Sequence, residues 1–274
     1  MSETRPPSDT IAAWILRAGV ACCFIGHGAM GLSRTAPWIA YFAVAHISPP
    51  HAFALMPWLG AVDVVLAVSV LVVPIRAVVL YMAFWASWAA LLRPLAGESA
   101  WEMVERAGNF GAPLALFFLL RRVAGFRSWF IPSAERPAPF SRPTSQLTIA
   151  SWTLRLAIVL LLLGHGMLQS SVHKPMFCSQ YSMIGLPGTA IEPYIGGVEI
   201  LLAAAVLLRP ARPLLVGIVF WKLATEALCP MAGMPLWMFI EHGASYAAPL
   251  ALVFLDLSRQ EEEQALSVPI LGAR

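Results

Sequence analysis

Long apolar runs, each broken by at most a few charged residues, organise this chain. The first covers Ile11–Leu32, and the next three cover Phe53–Val73, Ala77–Leu92 and Met103–Leu120. After a polar stretch come Thr148–Leu168, Ile191–Leu208, Leu214–Leu228 and Trp237–Leu255. A helix needs about 20 such residues to cross the hydrocarbon of a bilayer, and the runs do not show the one-residue alternation of an outer-membrane barrel. The pattern therefore predicts an all-α, polytopic membrane protein with eight transmembrane helices. The first run is long, has no clear small-residue cleavage site and is followed by further spans, so it reads as a helix of the bundle and not as a signal peptide.

Composition narrows the class further. Of the 274 residues 59% are apolar and 12% are charged, and the mean hydropathy is +0.73. Soluble domains carry about 25% charged residues, so a water-soluble globule, a disordered chain and a nucleic-acid binder are all excluded. The net charge of +3 is too small to imply a polyanionic partner. The distribution of the charges says more, because cytoplasmic loops hold the excess of Lys and Arg. On the side of the termini lie Arg5, Arg76, Arg121, Arg122, Arg127, Arg136, Arg142, Arg209, Arg212, Arg259 and Arg274, against Arg34, Arg93 and Lys174 on the other. The expected location is the cell inner membrane, multi-pass, with both termini cytoplasmic and the odd loops periplasmic. The lipid bilayer is then the first partner, and nucleic acid is not one.

The chain repeats itself. Trp14-x-Leu16-Arg17 and Gly26-His27-Gly28 recur as Trp152-x-Leu154-Arg155 and Gly164-His165-Gly166, an offset of 138 residues. At an offset of 136, Gly60-Ala-Val-Asp63 matches Gly196-Gly-Val-Glu199, Phe84-Trp85 matches Phe220-Trp221, and Trp101 through Glu105 to Leu116 matches Trp237 through Glu241 to Leu252. The expected organisation is a first four-helix repeat over 1–122, a cytoplasmic linker over 123–147 and a second four-helix repeat over 148–274. A unit with an even number of crossings inserts the same way up each time, so the two repeats are parallel and related by a pseudo-twofold along the membrane normal. Either two similar bundles lie side by side with nothing in common, or a site forms at the pseudo-axis.

Ionisable groups in hydrocarbon are costly, which makes each a functional candidate. Arg17 and Arg155 lie about two turns into helices 1 and 5, where they either snorkel to the headgroups or serve a buried partner. His27 and His165, each between two glycines, either hydrogen-bond within the bundle or act as ligands or proton carriers. Asp63 and Glu199 sit roughly 12–13 Å below the periplasmic surface at 1.5 Å per residue, so they should be protonated or paired. Glu105 and Arg106 correspond to Glu241 and His242. Lys222 and Glu226 lie four apart on one helix face, whereas their counterparts are Ala86 and Ala90. These groups fall in the periplasmic half, which implies a polar pocket there, or else a set of separate ion pairs such as Asp63 with Arg106 and Glu199 with Lys222. Trp85 and Trp221 pack the helices or wall a flat-ring site. Cys22 and Cys23 read as small buried hydrophobes, and Cys178 and Cys229 share the periplasmic side, where a bridge would persist. No CxxC, Walker A, GxSxG, HExxH or dinucleotide fingerprint occurs.

Leu16-Arg17, Phe24-Ile-Gly26-His27-Gly28 and Gly60-x-Val-Asp63, followed by Pro74-Ile-Arg76, resemble the DoxX-like family of four-helix membrane proteins. The second half resembles it again, through Leu154-Arg155, Gly164-His165-Gly166, Gly197-Val-Glu199 and Leu208-Arg-Pro-Ala-Arg212. The lysine usual in that family after the His-Gly pair is replaced here by Gly31 and Gln169. The resemblance implies a tandem duplication and redox chemistry at the membrane, as in a quinone-linked oxidoreductase subunit. Under it His27, His165 and His242, with Trp85 and Trp221, would bind a quinone, a haem or a transition metal, the metal through His27 and His165. Asp63, Glu199, Glu105 and Glu241 would handle protons, and a periplasmic or membrane redox partner would complete the reaction. A small anion or metal-ion carrier and a noncatalytic membrane assembly subunit are the alternatives.

Overall fold

The computed structural model describes residues 7–120, 125–132, 144–172 and 175–267. They form an all-α bundle with no strand among the described residues. The helices are α1 (Ser8–Leu32), α2 (Ile39–Val44), α3 (Pro49–Val72), α4 (Arg76–Leu95), α5 (Ala100–Glu105) and α6 (Ala107–Leu119). They continue as α7 (Thr144–Met167), α8 (Pro175–Ser182), α9 (Gly188–Leu208), α10 (Arg212–Met231), α11 (Leu236–Glu241) and α12 (Gly243–Ser267). A wider, π-helical turn, Leu168–Val172, extends α7.

Proline sets several of these boundaries. Val73 and Arg209 precede Pro74 and Pro210, and the ring of a following proline disfavours the helical region. Both residues are extended accordingly, with φ/ψ of −142°/87° and −151°/98°, and α3 and α9 stop just before them. Pro49 and Pro213 stand in the first turns of α3 and α10, where the missing N–H has no intrahelical partner to lose.

Seven helical segments are long and apolar enough to cross a membrane, against the eight expected. The segment that falls short is the fourth apolar run, which is divided into α5 and the 13-residue α6 and carries Glu102, Glu105 and Arg106 within it. The interruption is at Arg106, with φ/ψ of −80°/8°. The last run is interrupted in the matching place, at His242, with φ/ψ of −77°/7°. In each case a tight turn follows, from Asn109 N–H to the Arg106 carbonyl at 2.9 Å and from Ser245 N–H to the His242 carbonyl at 2.8 Å.

The packing interleaves the two halves of the chain. α1 packs on α3 of its own half and on α11 and α12 of the other, while α7 packs on α9 and on α5 and α6. The core of the bundle thus lies among α1, α6, α7 and α12. α3, α4, α9 and α10 lie outside it and turn large apolar side chains outward, among them Val65, Phe84, Leu201 and Phe220, each at least 63% exposed. That outward face suits lipid. The described part of the linker docks on the bundle: Ile75 pairs with Pro132, and the Arg76 guanidinium lies 4.8 Å from the ring centres of both Phe117 and Trp129.

The glycines beside each histidine make these crossings possible. Gly26 lies against the backbone of Glu241 at the interruption before α12, and Gly164 lies against the backbone of Glu105 at the interruption before α6. A methyl group on either would strike the backbone opposite. The second glycines, Gly28 and Gly166, face the carbonyls of Gly60 and Gly196 on the neighbouring helix of the same half. Small residues let helix backbones approach in this way inside a bilayer.

Candidate functional site

A buried ladder of ionisable side chains joins the two halves at the level of the helix interruptions. The crossings just described bring each histidine to an acid of the other half. His27 Nε2 stands 2.9 Å from Glu241 Oε1, and His165 Nε2 stands 3.3 Å from Glu105 Oε1. Arg106 ties the two ends together: its guanidinium bonds the Glu241 carboxylate, and its Nε lies 3.7 Å from Glu105 Oε1. His242, the residue matching Arg106, has Nε2 3.8 Å from Glu105 and Nδ1 3.0 Å from Glu226 Oε2. Low dielectric makes such pairs strong and makes any unpaired member costly.

The ladder continues through the second half. Lys222 Nζ lies 2.8 Å from Glu226 Oε1 and 3.5 Å from Glu199 Oε1. Glu199 is fully buried and accepts hydrogen bonds from Trp221 Nε1 at 3.1 Å and from Gln169 Nε2 at 3.1 Å. The π-helical turn after α7 carries Gln169, and the Tyr181 hydroxyl of α8 donates to its carbonyl oxygen at 2.7 Å. His165 is buried, and its ring centre is 6.0 Å from that of Phe177.

The first half is built alike but less filled. Asp63 is buried and accepts from Trp85 Nε1 at 3.0 Å, as Glu199 does from Trp221, yet it makes no ion pair among the described residues. Beside it a cleft opens, lined by Cys23, His27, Asp63, Trp85, Arg93 and Arg106, with Ala86, Ala89 and Ala90 as its wall. Its enclosed part measures about 20 Å³, room for about one water molecule, and the whole with its open mouth about 370 Å³.

The segment after α1 covers this region. The Trp38 ring centre lies 5.6 Å from that of His27. The Tyr41 hydroxyl on α2 donates to the Glu98 carboxylate, which Arg93 also meets at 3.2 Å, while Arg93 reaches Glu102 at 3.6 Å. Burial, together with the hydrogen bond to Glu98, pushes the Tyr41 phenol up to about 12.

All of the singled-out acids and histidines, with both tryptophans, belong to this one region. The pairing of Glu199 with Lys222 is made. That of Asp63 with Arg106 is not, because Arg106 turns to Glu241 and Glu105. Arg17 and Arg155 stand apart from the ladder and have a different role. Arg17 Nε donates to the Val70 carbonyl at 2.9 Å and its Nη2 to that of Leu71, the last carbonyls of α3. Arg155 meets Val206 at 3.1 Å and Leu207 at the end of α9. The two guanidiniums lie 3.6 and 4.4 Å from the ring centres of Trp14 and Trp152, so the repeated Trp-x-Leu-Arg motif is a helix-end clamp. This replaces snorkelling as the reading for Arg17, which is 2% exposed.

Cys23, Arg93, Asn109, Gln169 and Tyr181 join the site without having been assigned to it from the sequence. Cys23 precedes His27 by four residues, a spacing that puts both on one face of α1, and Asn109, beyond the Arg106 interruption, also lines the cleft. Tyr181 arrives from a separate short helix and has no such signal. No group of three or more His, Cys, Asp or Glu among the described residues is placed to hold a metal ion. Cys23 and Cys229 are buried free thiols, and the side chain of Cys178 lies outside the described residues. No protein-family model matches the chain, and no curated protein or solved structure does so either.

Proposed function

We propose that this chain is a redox-linked integral membrane subunit that binds the polar ring of a quinone in the cleft of its first half. The observation that carries the reading is the cleft itself: an indole, an imidazole, two guanidiniums and a carboxyl that makes no salt bridge among the described residues converge on one opening. On this reading the chain spans the cell inner membrane eight times, as two parallel four-helix repeats with both termini cytoplasmic, and the ladder lies in the periplasmic half. The resemblance of the Gly-His-Gly and Gly-x-Val-Asp/Glu segments to DoxX-like proteins supports the same chemistry.

A bound quinone supplies exchange of two electrons and two protons. The chain's part is to hold the protons: Asp63, oriented by Trp85, would take one at the cleft and His27, beside Glu241, the other, while Arg106 keeps its own protons and holds Glu241 and Glu105 in place. Glu199 and Trp221, with His242 and Glu226, balance the far end. Haem and a transition metal suit these residues less well. His27 and His165 each direct Nε2 at a carboxylate of the other half. A carrier role requires a polar path to the opposite side, where Arg17 and Arg155 are held on helix ends.

Organic extraction of the purified protein, with an optical spectrum and metal analysis, tests this reading. Quinone in the extract without haem bands or stoichiometric metal is expected. An extract free of quinone, combined with no saturable binding of a short-chain quinone analogue, would remove it.

A further inference from the structure

The two halves match at the acid, indole and imidazole of the site and differ at other positions, among them Arg93, which lines the cleft where the second half has Cys229, and Gln169, where the first half has Gly31. Glu199, Trp221 and His165 of the second half match Asp63, Trp85 and His27 of the first, and His242 matches Arg106. Between these groups the second half inserts Lys222 and Glu226. The ammonium lies 3.5 Å from Glu199, and the Glu226 carboxylate lies 3.0 Å from His242. In the first half the same positions are Ala86 and Ala90, and those two methyl groups wall the cleft. The acid, the indole, the imidazole and the cation are all kept, while the two side chains that lie between them are missing.

We infer that the occupant of the cleft takes the places of the Lys222 ammonium and the Glu226 carboxylate: it is a small molecule that donates a hydrogen bond to Asp63 and accepts one from Arg106. The inference deepens the quinone reading, on which its choice of ligand rests, and selects the reduced form. A quinol donates through one ring hydroxyl to the Asp63 carboxylate and accepts at the other from the Arg106 guanidinium. A quinone offers acceptors only, so one of its carbonyls meets the ionised acid acceptor against acceptor and is accommodated only by the protonated fraction of Asp63, the fraction a carbodiimide labels. The second half holds its own substitute covalently, and one ligand site per chain follows.

The test uses the full chain in lipid nanodiscs, titrated anaerobically with a short-chain ubiquinol and the matching quinone and followed by tryptophan fluorescence. The quinol is expected to saturate one site and to bind roughly tenfold to hundredfold tighter than the quinone, as one added hydrogen bond to a charged group implies. The A86K/A90E variant transplants the second half's pair and should bind neither. A hydrophobic carbodiimide, read by peptide mass spectrometry, should label Asp63 in the wild type and not in that variant. The apolar filler A86L, which needs no partner, should likewise block the label and decides the matter if the double variant does not fold.

Equal labelling of Asp63 in the wild type and the filled variants would overturn the inference, as would undiminished quinol binding by A86K/A90E. Preference of the wild type for the quinone would overturn the choice of reduced ligand. Absence of binding by both forms, with the protection of Asp63 intact, would instead remove the quinone reading while supporting the cleft as the place of a different donor and acceptor molecule.

Discussion

Arg17 illustrates how a single charged residue can be tolerated in an apolar helix. Its Nε and Nη2 donate to the carbonyls of Val70 and Leu71, which no residue of their own helix can reach, because the last carbonyls of α3 have no helical N–H ahead of them. Arg17→Ala is expected to lower stability by about 2–3 kcal/mol, the range for hydrogen bonds to a charged group, with a smaller loss for the more exposed Arg155→Ala. Denaturant unfolding in detergent measures both. Tyr41 gives a pH signature. Its folded value is raised, so the stability it adds is complete below about pH 10, the ordinary phenol value, and is lost as the pH rises through about 12. Tyr41→Phe should therefore lower stability at neutral pH, where the hydrogen bond to Glu98 is intact, and flatten the alkaline end of the melting profile between those limits. In the quinone assay His27→Ala and His165→Ala should impair turnover more than Trp85→Phe does, since the histidines bridge the halves and the indole only orients one acid. Equal, negligible effects would remove the histidines from the reaction.

The Gly-His-Gly segment acts as a unit of helix crossing. Its first glycine admits the interruption of the other half's last helix, its second admits the neighbouring helix of its own half, and the histidine between them is thereby pointed at an acid across the interface. Gly26→Ala and Gly164→Ala should each cost about 1–3 kcal/mol, the usual penalty for forcing an extra methyl into a packed core. Gly197→Ala is the control, because an added methyl there meets nothing within 4 Å and the substitution favours the helix. Melting temperatures of the three variants separate the cases. Much at this scale was legible in the sequence. Apolar runs located the seven long helices to within a few residues, whereas the fourth run, read as a span, falls short of one. The interruptions at Arg106 and His242 were not visible, because they come from a local turn within a run that reads as continuous. Partner choice was equally hidden. Counting residues gives the depth of Asp63 and Arg106 but not which side of the bundle each faces, and Arg106 reaches across to Glu241 instead.

For the whole molecule, the ladder acts as the polar seam between halves whose other contacts form the apolar core. Removing one charge leaves its partner buried and unpaired, so Glu241→Ala should destabilise by about 3–5 kcal/mol. The double variant Glu241→Leu with Arg106→Leu should recover most of that loss and yet stay inactive, since apolar packing can replace an ion pair in stability but not in proton transfer. A double-mutant cycle in unfolding free energy and turnover checks this. Full activity in the double variant would show that the seam has no part in the reaction.

The three charges in the run that contains α5 and α6 bear on how the protein is made. On the eight-span reading, Arg106 waits for a carboxylate that is synthesised 135 residues later. A segment with such a burden partitions poorly into lipid by itself. The nascent chain should therefore keep it beside the insertion machinery until the final segment emerges, and the two should enter the bilayer together. Ribosome-stalled intermediates cut short before Glu241 should leave residues near Arg106 open to a water-soluble thiol reagent at an introduced cysteine, and full-length chains should protect them.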